Sequence, residues 1–198
     1  MPLFLSGNSG SATLDSSNGL IYPTWTTAGR PASPATGQCG YNTSIGGMEI
    51  YNGSAWDCIT GGPAFYAYQS ASGQSITTST YTKIVFDTKA FDTANAFDNT
   101  TNYRFQPTVA GYYQFNAVLT PSSATSYTIV RIYKNGSAYF SGGAGNNITN
   151  SPSSVSGILY MNGSTDYVEI YGYLTGTTPT VFNNSYSTYF NGALIRSA

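Results

Sequence analysis

Residues 111–119, Gly-Tyr-Tyr-Gln-Phe-Asn-Ala-Val-Leu, decide the fold class of this chain. Tyr113, Phe115, Ala117 and Leu119 fall on one side of an extended backbone, and Tyr112, Gln114, Asn116 and Val118 on the other. A side-chain period of two predicts a strand with one face in a core. Residues 166–174 repeat the logic: Val168, Ile170 and Leu174 share a side with Gly172, while Tyr167, Glu169, Tyr171 and Tyr173 oppose them. Working outward, further β-prone runs lie at 64–70, 82–87, 102–106, 127–134, 154–161 and 187–195. Asn135-Gly136 and Asn162-Gly163 predict tight hairpins with positive φ at both turn residues, and the Gly/Asn/Ser-rich stretch 141–154 predicts a long loop. Helix signals are nearly absent. Eight or more short strands with this punctuation predict an all-β sandwich or jelly roll.

Before that domain the sequence changes character. Gly61-Gly62-Pro63 marks a boundary, giving an N-terminal segment 1–60 and a head 61–198; 198 residues suit one full domain plus a small appendage. Ser6 to Ser17 is Gly/Ser-rich and expected to be loosely held. Pro23, Pro31 and Pro34 predict an extended, irregular stretch. Strands are expected at 38–42, 48–51 and 55–59, a β-meander turning at Ser44–Gly47 and at Asn52-Gly53.

Composition limits the chemistry. The chain has no histidine, two cysteines, 18 tyrosines, and only 8% charged residues split almost evenly. It offers no basic patch for nucleic acid; Ser, Thr, Asn and Tyr must wet its surface. Aromatics at 15% in alternating runs oppose disorder. A serine nucleophile would lack a histidine base, and no Ser-x-x-Lys motif is present. No pair of carboxylates stands in a glycosidase-like constellation, so the expectation is not an enzyme. Two cysteines without histidine do not make a zinc site. Cys39 and Cys58 read either as a disulfide or as two buried thiols. Met1 to Gly10 has one short apolar run without a basic region, and no stretch reaches the 18 apolar residues of a membrane span. The expectation is cytosolic synthesis, which favours the thiols.

Asp87, Asp92 and Asp98 lie within a dozen residues and are candidate calcium ligands, because hard cations want several oxygens. The alternative is three solvated turn carboxylates, and no other cofactor is expected. The tyrosine stripe Tyr167, Tyr171 and Tyr173 has three readings: cross-strand packing, a subunit interface or a ligand platform. Arg104 and Arg131, set among aromatics, join it as candidates through cation–π contacts. Asn42, Asn52, Asn99, Asn135, Asn147, Asn162 and Asn183 each open an Asn-x-Ser/Thr triplet, read here as turn chemistry rather than glycosylation. The loops 95–102 and 141–154 are the expected variable binding edges.

A series of short motifs carries a resemblance. Pro63-Ala64-Phe65-Tyr66-Ala67, Tyr81-Thr82-Lys83-Ile84-Val85-Phe86-Asp87 and Phe97-Asp98 come first. Tyr103-Arg104-Phe105-Gln106-Pro107, Val109-Ala110-Gly111-Tyr112-Tyr113-Gln114-Phe115 and Tyr189-Phe190-Asn191-Gly192-Ala193-Leu194-Ile195 follow. In this order and spacing, 63–195 resembles the complement globular-head family, whose jelly roll is shared with tumour-necrosis factor. The resemblance implies a ten-stranded jelly roll, a homotrimer held by aromatics, and a core built on Phe65, Phe86, Phe105, Tyr113, Phe115 and Phe190. No Gly-X-Y stalk precedes the head, unlike the complement proteins.

A second resemblance covers about 22–58. Trp25-Thr26-Thr27-Ala28-Gly29-Arg30-Pro31, Gly37-Gln38-Cys39-Gly40-Tyr41-Asn42-Thr43 and Glu49-Ile50-Tyr51-Asn52-Gly53-Ser54-Ala55-Trp56 look like a module of bacteriophage tail fibres and other virion proteins. Cys39 stands where that module more often has an aliphatic residue, which implies burial. Together the two resemblances imply a bacteriophage structural protein, made in the host cytoplasm and displayed on the virion surface. Residues 1–60 would join other virion proteins, and a trimeric head would adhere to a host glycan or protein as a tail fibre or tip. Two other readings stay open: a capsid decoration protein or head fibre, and, in a different class, a secreted cytokine-like or adhesion head. Neither membrane insertion nor nucleic-acid binding is implied.

Overall fold

The structure, a computed structural model, describes residues 4–5, 12–15, 19–59, 62–71, 73–145 and 150–197. Two compact units emerge, Met1–Gly62 with Arg196–Ala198, and Pro63–Ile195.

The second unit is the predicted sandwich. Its strands are β8 (Ala64–Tyr68), β9 (Thr82–Lys83), β10 (Thr88–Asp92), β11 (Phe97–Asp98), β12 (Arg104–Phe105), β13 (Gly111–Leu119), β14 (Tyr127–Lys134), β15 (Ser137–Gly145), β16 (Ser153–Met161), β17 (Val168–Thr175) and β18 (Tyr189–Ser197). They form one sheet in the order β10-β8-β18-β13-β16 and another in the order β11-β12-β17-β14-β15, with β9 also pairing β17. Non-consecutive neighbours such as β8-β18 and β17-β14 give the crossovers of a jelly roll.

The inward faces follow the sequence pattern. Tyr113, Phe115, Ala117 and Leu119 of β13, with Phe65 and Phe190 of the same sheet, meet Phe105, Val130, Ile132, Val168, Ile170 and Leu174 of the other. Phe65 sits at the centre: its ring stacks on Phe105 at 4.3 Å and meets Phe190 edge-on at 4.8 Å. Phe86 is fully buried beside them. The buried Tyr113 hydroxyl donates to the Val109 carbonyl at 2.8 Å, so this ring brings no orphaned polar group into the core.

Two expectations need correction. Residues 141–154 are not one long loop, because β15 runs to Gly145 and β16 begins at Ser153; residues 146–149 lie outside the described residues. The sequence hides β15 because its residues are small where β propensity looks for bulk. The backbone demands it: a Cβ on Gly142 would stand 1.9 Å from the Ser154 carbonyl oxygen, and one on Gly143 2.7 Å from that of Thr128. Second, only Asn135-Gly136 has positive φ at both positions, 52° and 77°, joining β14 to β15. At Asn52-Gly53 and Asn162-Gly163 the glycine alone is left-handed. There the asparagine side chain serves the turn instead. Asn52 Oδ1 accepts from the Ser54 and Ala55 amides at 2.8 and 2.9 Å, and Asn162 Oδ1 from Ser164, Thr165 and Asp166 at 2.9–3.0 Å.

The first unit holds β1 (Phe4–Leu5), β2 (Ala12–Asp15), β3 (Gly19–Ile21), β4 (Thr24–Trp25), β5 (Cys39–Asn42), β6 (Gly47–Tyr51) and β7 (Trp56–Cys58). The meander β5-β6-β7 stands where the sequence placed it, extended by β4 pairing parallel to β5. Of the stretch expected to be loose, residues 12–15 form β2, paired with β1 and β3; residues 6–11 and 16–17 lie outside the described residues. Residues that carry the second resemblance converge here. Glu49, fully buried, accepts from Trp25 Nε1, Arg30 Nε and Asn42 Nδ2, each at 3.0 Å. Burial alone would raise its pKa; the hydrogen bonds from Arg30, Trp25 and Asn42 and the Arg30 charge outweigh burial and hold it below the usual range.

Register also decides the cysteines. Cys39 lies opposite Ile50, and Cys58 opposite Glu49. Ile50 and Glu49 point to opposite faces of β6, so the two thiols do too. They are also two strands apart, about 10 Å, beyond the roughly 7 Å Cα separation a disulfide spans. Unreduced, denatured protein is therefore expected to react with two equivalents of a thiol reagent. Zero equivalents from a single chain would overturn this register.

Candidate functional site

Alternation along β17 and β14 turns one set of side chains outward from the sheet β11-β12-β17-β14-β15. From β17 and the residue before it come Tyr167, Glu169, Tyr171 and Tyr173, and from β14 come Ile129, Arg131 and Tyr133. The structure thus places all five stripe candidates, Tyr167, Tyr171, Tyr173, Arg104 and Arg131, around one sheet. Arg104 lies over the Tyr167 ring at 4.2 Å, and Arg131 over Tyr81 at 4.1 Å. Tyr133 packs on Tyr171 at 4.2 Å, and Tyr81 on Tyr173 at 5.1 Å. Burial and the neighbouring Glu169 carboxylate push the Tyr171 hydroxyl up, so the ring stays neutral. Tyr81 and Tyr133 escaped the sequence reading. Tyr133 was visible as the alternation partner of Arg131; Tyr81 follows a turn, and only the fold brings it over.

The charges on this face do not cancel. Lys83 is paired with Glu169; Lys134, which alternation turns to the other side of β14, is paired with Asp166 at 2.8 Å. Arg104 and Arg131 have no carboxylate partner among the described residues. Each makes one hydrogen bond to a neutral acceptor, Arg104 Nη2 to Gln106 Oε1 at 2.9 Å and Arg131 Nε to Ser141 Oγ at 3.2 Å.

The other sheet, β10-β8-β18-β13-β16, shows a different outer face. Tyr66 and Tyr68 of β8, Tyr189 and Asn191 of β18, Tyr112, Gln114 and Asn116 of β13, and Ile158 and Tyr160 of β16 share it, without a charge among them. Tyr112 and Tyr160 lie directly opposite each other, 46% and 42% exposed, and Ile158 is 50% exposed. Tyr66 stacks on Tyr189 at 5.3 Å, and Asn116 Nδ2 donates to Asn191 Oδ1 at 3.1 Å. The sequence named one part of this face, the outward side of β13, without giving it a role.

The three calcium candidates do not converge. Among the described residues no three acidic, histidine or cysteine side chains stand ready to share an ion. Asp87 accepts from the Ser70 and Ala71 amides at 2.8 and 2.9 Å; Asp92 accepts from the Ala96 and Phe97 amides and Lys89. Asp98 accepts from the Thr100, Thr101 and Asn102 amides at 2.9–3.0 Å. Each carboxylate fastens its own stretch of backbone. Beside Asp98 lies a polar cavity of about 420 Å³ lined by Lys89, Asn95, Asn99, Gln106 and Thr108 among others.

The backbone amides of Thr101 and Thr100 hold the Asp98 carboxyl well below its ordinary range. A lowered folded-state pKa contributes stability that is full above about pH 4 and is lost as pH falls toward the folded value. Asp98→Ala is therefore expected to lower Tm at pH 6, with the gap to the parent narrowing steadily as pH falls below about 4. A gap independent of pH would contradict this role.

No family model and no curated protein sequence matches the chain. Solved structures do. The globular domain of zebrafish complement 1qA matches with TM-score 0.50 and 21% identity, over 69% of this chain and 98% of that one. Murine APRIL matches with TM-score 0.54 and 8% identity, over 67% of this chain and 98% of its own. PRD1 vertex protein P5 matches with TM-score 0.52 and 14% identity, over 67% and 96%. At these identities the likeness establishes the jelly-roll fold, in agreement with the sequence expectation, and function must be argued from the surfaces.

Proposed function

We propose that this chain is a homotrimeric surface knob of a bacteriophage virion. Copies of the head associate through the charge-free sheet face of Tyr112, Ile158 and Tyr160, and residues 1–60 join it to other virion proteins. The carrying observation is the contrast between the two sheets. One outer face exposes apolar and aromatic side chains without any charge, the composition of a buried interface centre. The other keeps arginines toward solvent. A closed ring of identical copies buries the first and leaves the second open. Likeness to a virion vertex protein supports the location, as does the module-like sequence of residues 22–58.

Within this reading the head works by adhesion, as a fibre or tip that grips a host surface, and catalyses nothing. The vertex likeness favours one alternative, a head fibre or decoration protein fixed to the capsid. Immunogold labelling of intact particles with an antibody to residues 61–198 tests both. Gold at the tail tip supports the adhesion fibre, gold on the head supports the capsid alternative, and unlabelled particles refute a virion role.

A further inference from the structure

We propose that the outer face of the sheet β11-β12-β17-β14-β15 binds an acidic saccharide chain, with Arg104 and Arg131 taking its carboxylates and the tyrosines between them carrying its rings. This deepens the adhesion reading by naming the ligand chemistry, and it rests on that reading only for its biological setting.

Four observations carry it. First, four basic side chains of the described residues are spent on carboxylates: Arg30 on Glu49, Lys83 on Glu169, Lys89 on Asp92 and Lys134 on Asp166. In the second unit Arg104 and Arg131 alone are left without one, among the described residues, and both lie on this face. Two like charges kept uncompensated on one surface, in a chain with seven basic residues in all, point to an anionic partner.

Second, both guanidiniums are held ready. The Cζ of each stands over a tyrosine ring, at 4.2 Å for Arg104 and 4.1 Å for Arg131, and each makes one bond to a neutral oxygen. A guanidinium has five N–H donors in a rigid fork matched to carboxylate. With one such bond each, most of the donors of both forks are left for a ligand.

Third, the surface between them is aromatic, and the one carboxylate on it, Glu169, is neutralised by Lys83. Arg104 lies over Tyr167, while Arg131 stands opposite Tyr171, four residues further along. At the rise of an antiparallel strand, Tyr167, which Arg104 covers, and Tyr171 stand about 13 Å apart, the length of a short run of sugar rings. The Tyr133–Tyr171 pair occupies that interval. Tyrosine rings accept the C–H faces of sugars, and their hydroxyls donate and accept hydrogen bonds.

Fourth, charge density separates a carboxylated saccharide from a nucleic acid. Two fixed cations suit a ligand with one carboxylate every ring or two. The chain as a whole carries net charge −1, so it has no field to hold a backbone with a phosphate at every residue.

The test uses the purified full chain and calorimetric titration with tetragalacturonate, its carboxyl-reduced neutral counterpart, and a single-stranded oligothymidylate. Tetragalacturonate is expected to bind. The neutral counterpart, and the Arg104→Gln and Arg131→Gln variants, should each lose about tenfold or more in affinity, as expected when a charge-assisted hydrogen bond is removed. Arg131→Lys keeps the charge but not the fork, and should recover only part of the loss. Unchanged melting curves would show that these variants remain folded. Equal affinity for the neutral sugar, tighter binding of the oligothymidylate, or no tetragalacturonate binding overturns the proposal. Since gold labelling reads location on particles and calorimetry reads the isolated chain, either reading can fail while the other stands.

Discussion

Ile158→Asp is expected to yield a folded monomer where the parent is a trimer. Ile158 lies at the middle of β16, opposite Gln114, and is half exposed on the isolated head. A carboxylate there meets water in the monomer, so the sandwich loses little. In the trimer it would be enclosed in a face whose nearby ammonium, Lys134 beside Tyr160, is already paired with Asp166; an unpaired buried charge costs several kcal/mol, repeated in every copy by symmetry. Light scattering at micromolar concentration should give the mass of three chains for the parent and of one for the variant. A monomeric parent would refute the assembly, and a trimeric variant would move the interface elsewhere. Arg131→Asp, on the opposite sheet, is the matched control and should remain trimeric.

Phe65→Ala is expected to destabilise the head by about 3–5 kcal/mol, the range for emptying an aromatic site in a close-packed core. Phe65 is the hub of the aromatic cluster. Its ring touches Phe97 at 5.1 Å, Phe105 at 4.3 Å and Phe190 at 4.8 Å. The cavity would lie between two sheets fixed by their ladders, which limits collapse around it. Denaturant unfolding should show the full loss in the midpoint, with Phe91→Ala as control. Phe91 is 50% exposed and should change stability by less than about 0.5 kcal/mol. Equal effects for the two would mean that the core is centred elsewhere.

These two predictions rest on parts of the protein that were unequally legible. The sandwich was readable because its long strands alternate strictly: β13 stands at 111–119 and β14 at 127–134, as the sequence placed them. Where a strand is built from small residues the pattern vanishes, and β15 was lost although its glycines are the condition for its close packing. Short edge strands such as β10 and β11 also went unseen, since Asp87, Asp92 and Asp98 read as turns or ligands. The tyrosine stripe was legible as a stripe. That Arg104 and Arg131 are the cations left over was not, because the pairings of Lys83 with Glu169 and Lys134 with Asp166 join residues 86 and 32 positions apart. Charge-free character is likewise a property of a face, visible only when β8, β18, β13 and β16 are laid side by side.

The Asx side chains have a consequence of another kind. Asn52, Asp98 and Asn162 each tie the amides that follow them, so three exposed turns are fastened by a residue at their own entrance. A turn that carries its own clasp does not depend on the sheet for its shape. The residues beyond the clasp can then be exchanged with little consequence for the core, as cassettes on a fixed frame. A protein under pressure to keep altering its outline, while its strands stay as they are, gains evolvability from that arrangement.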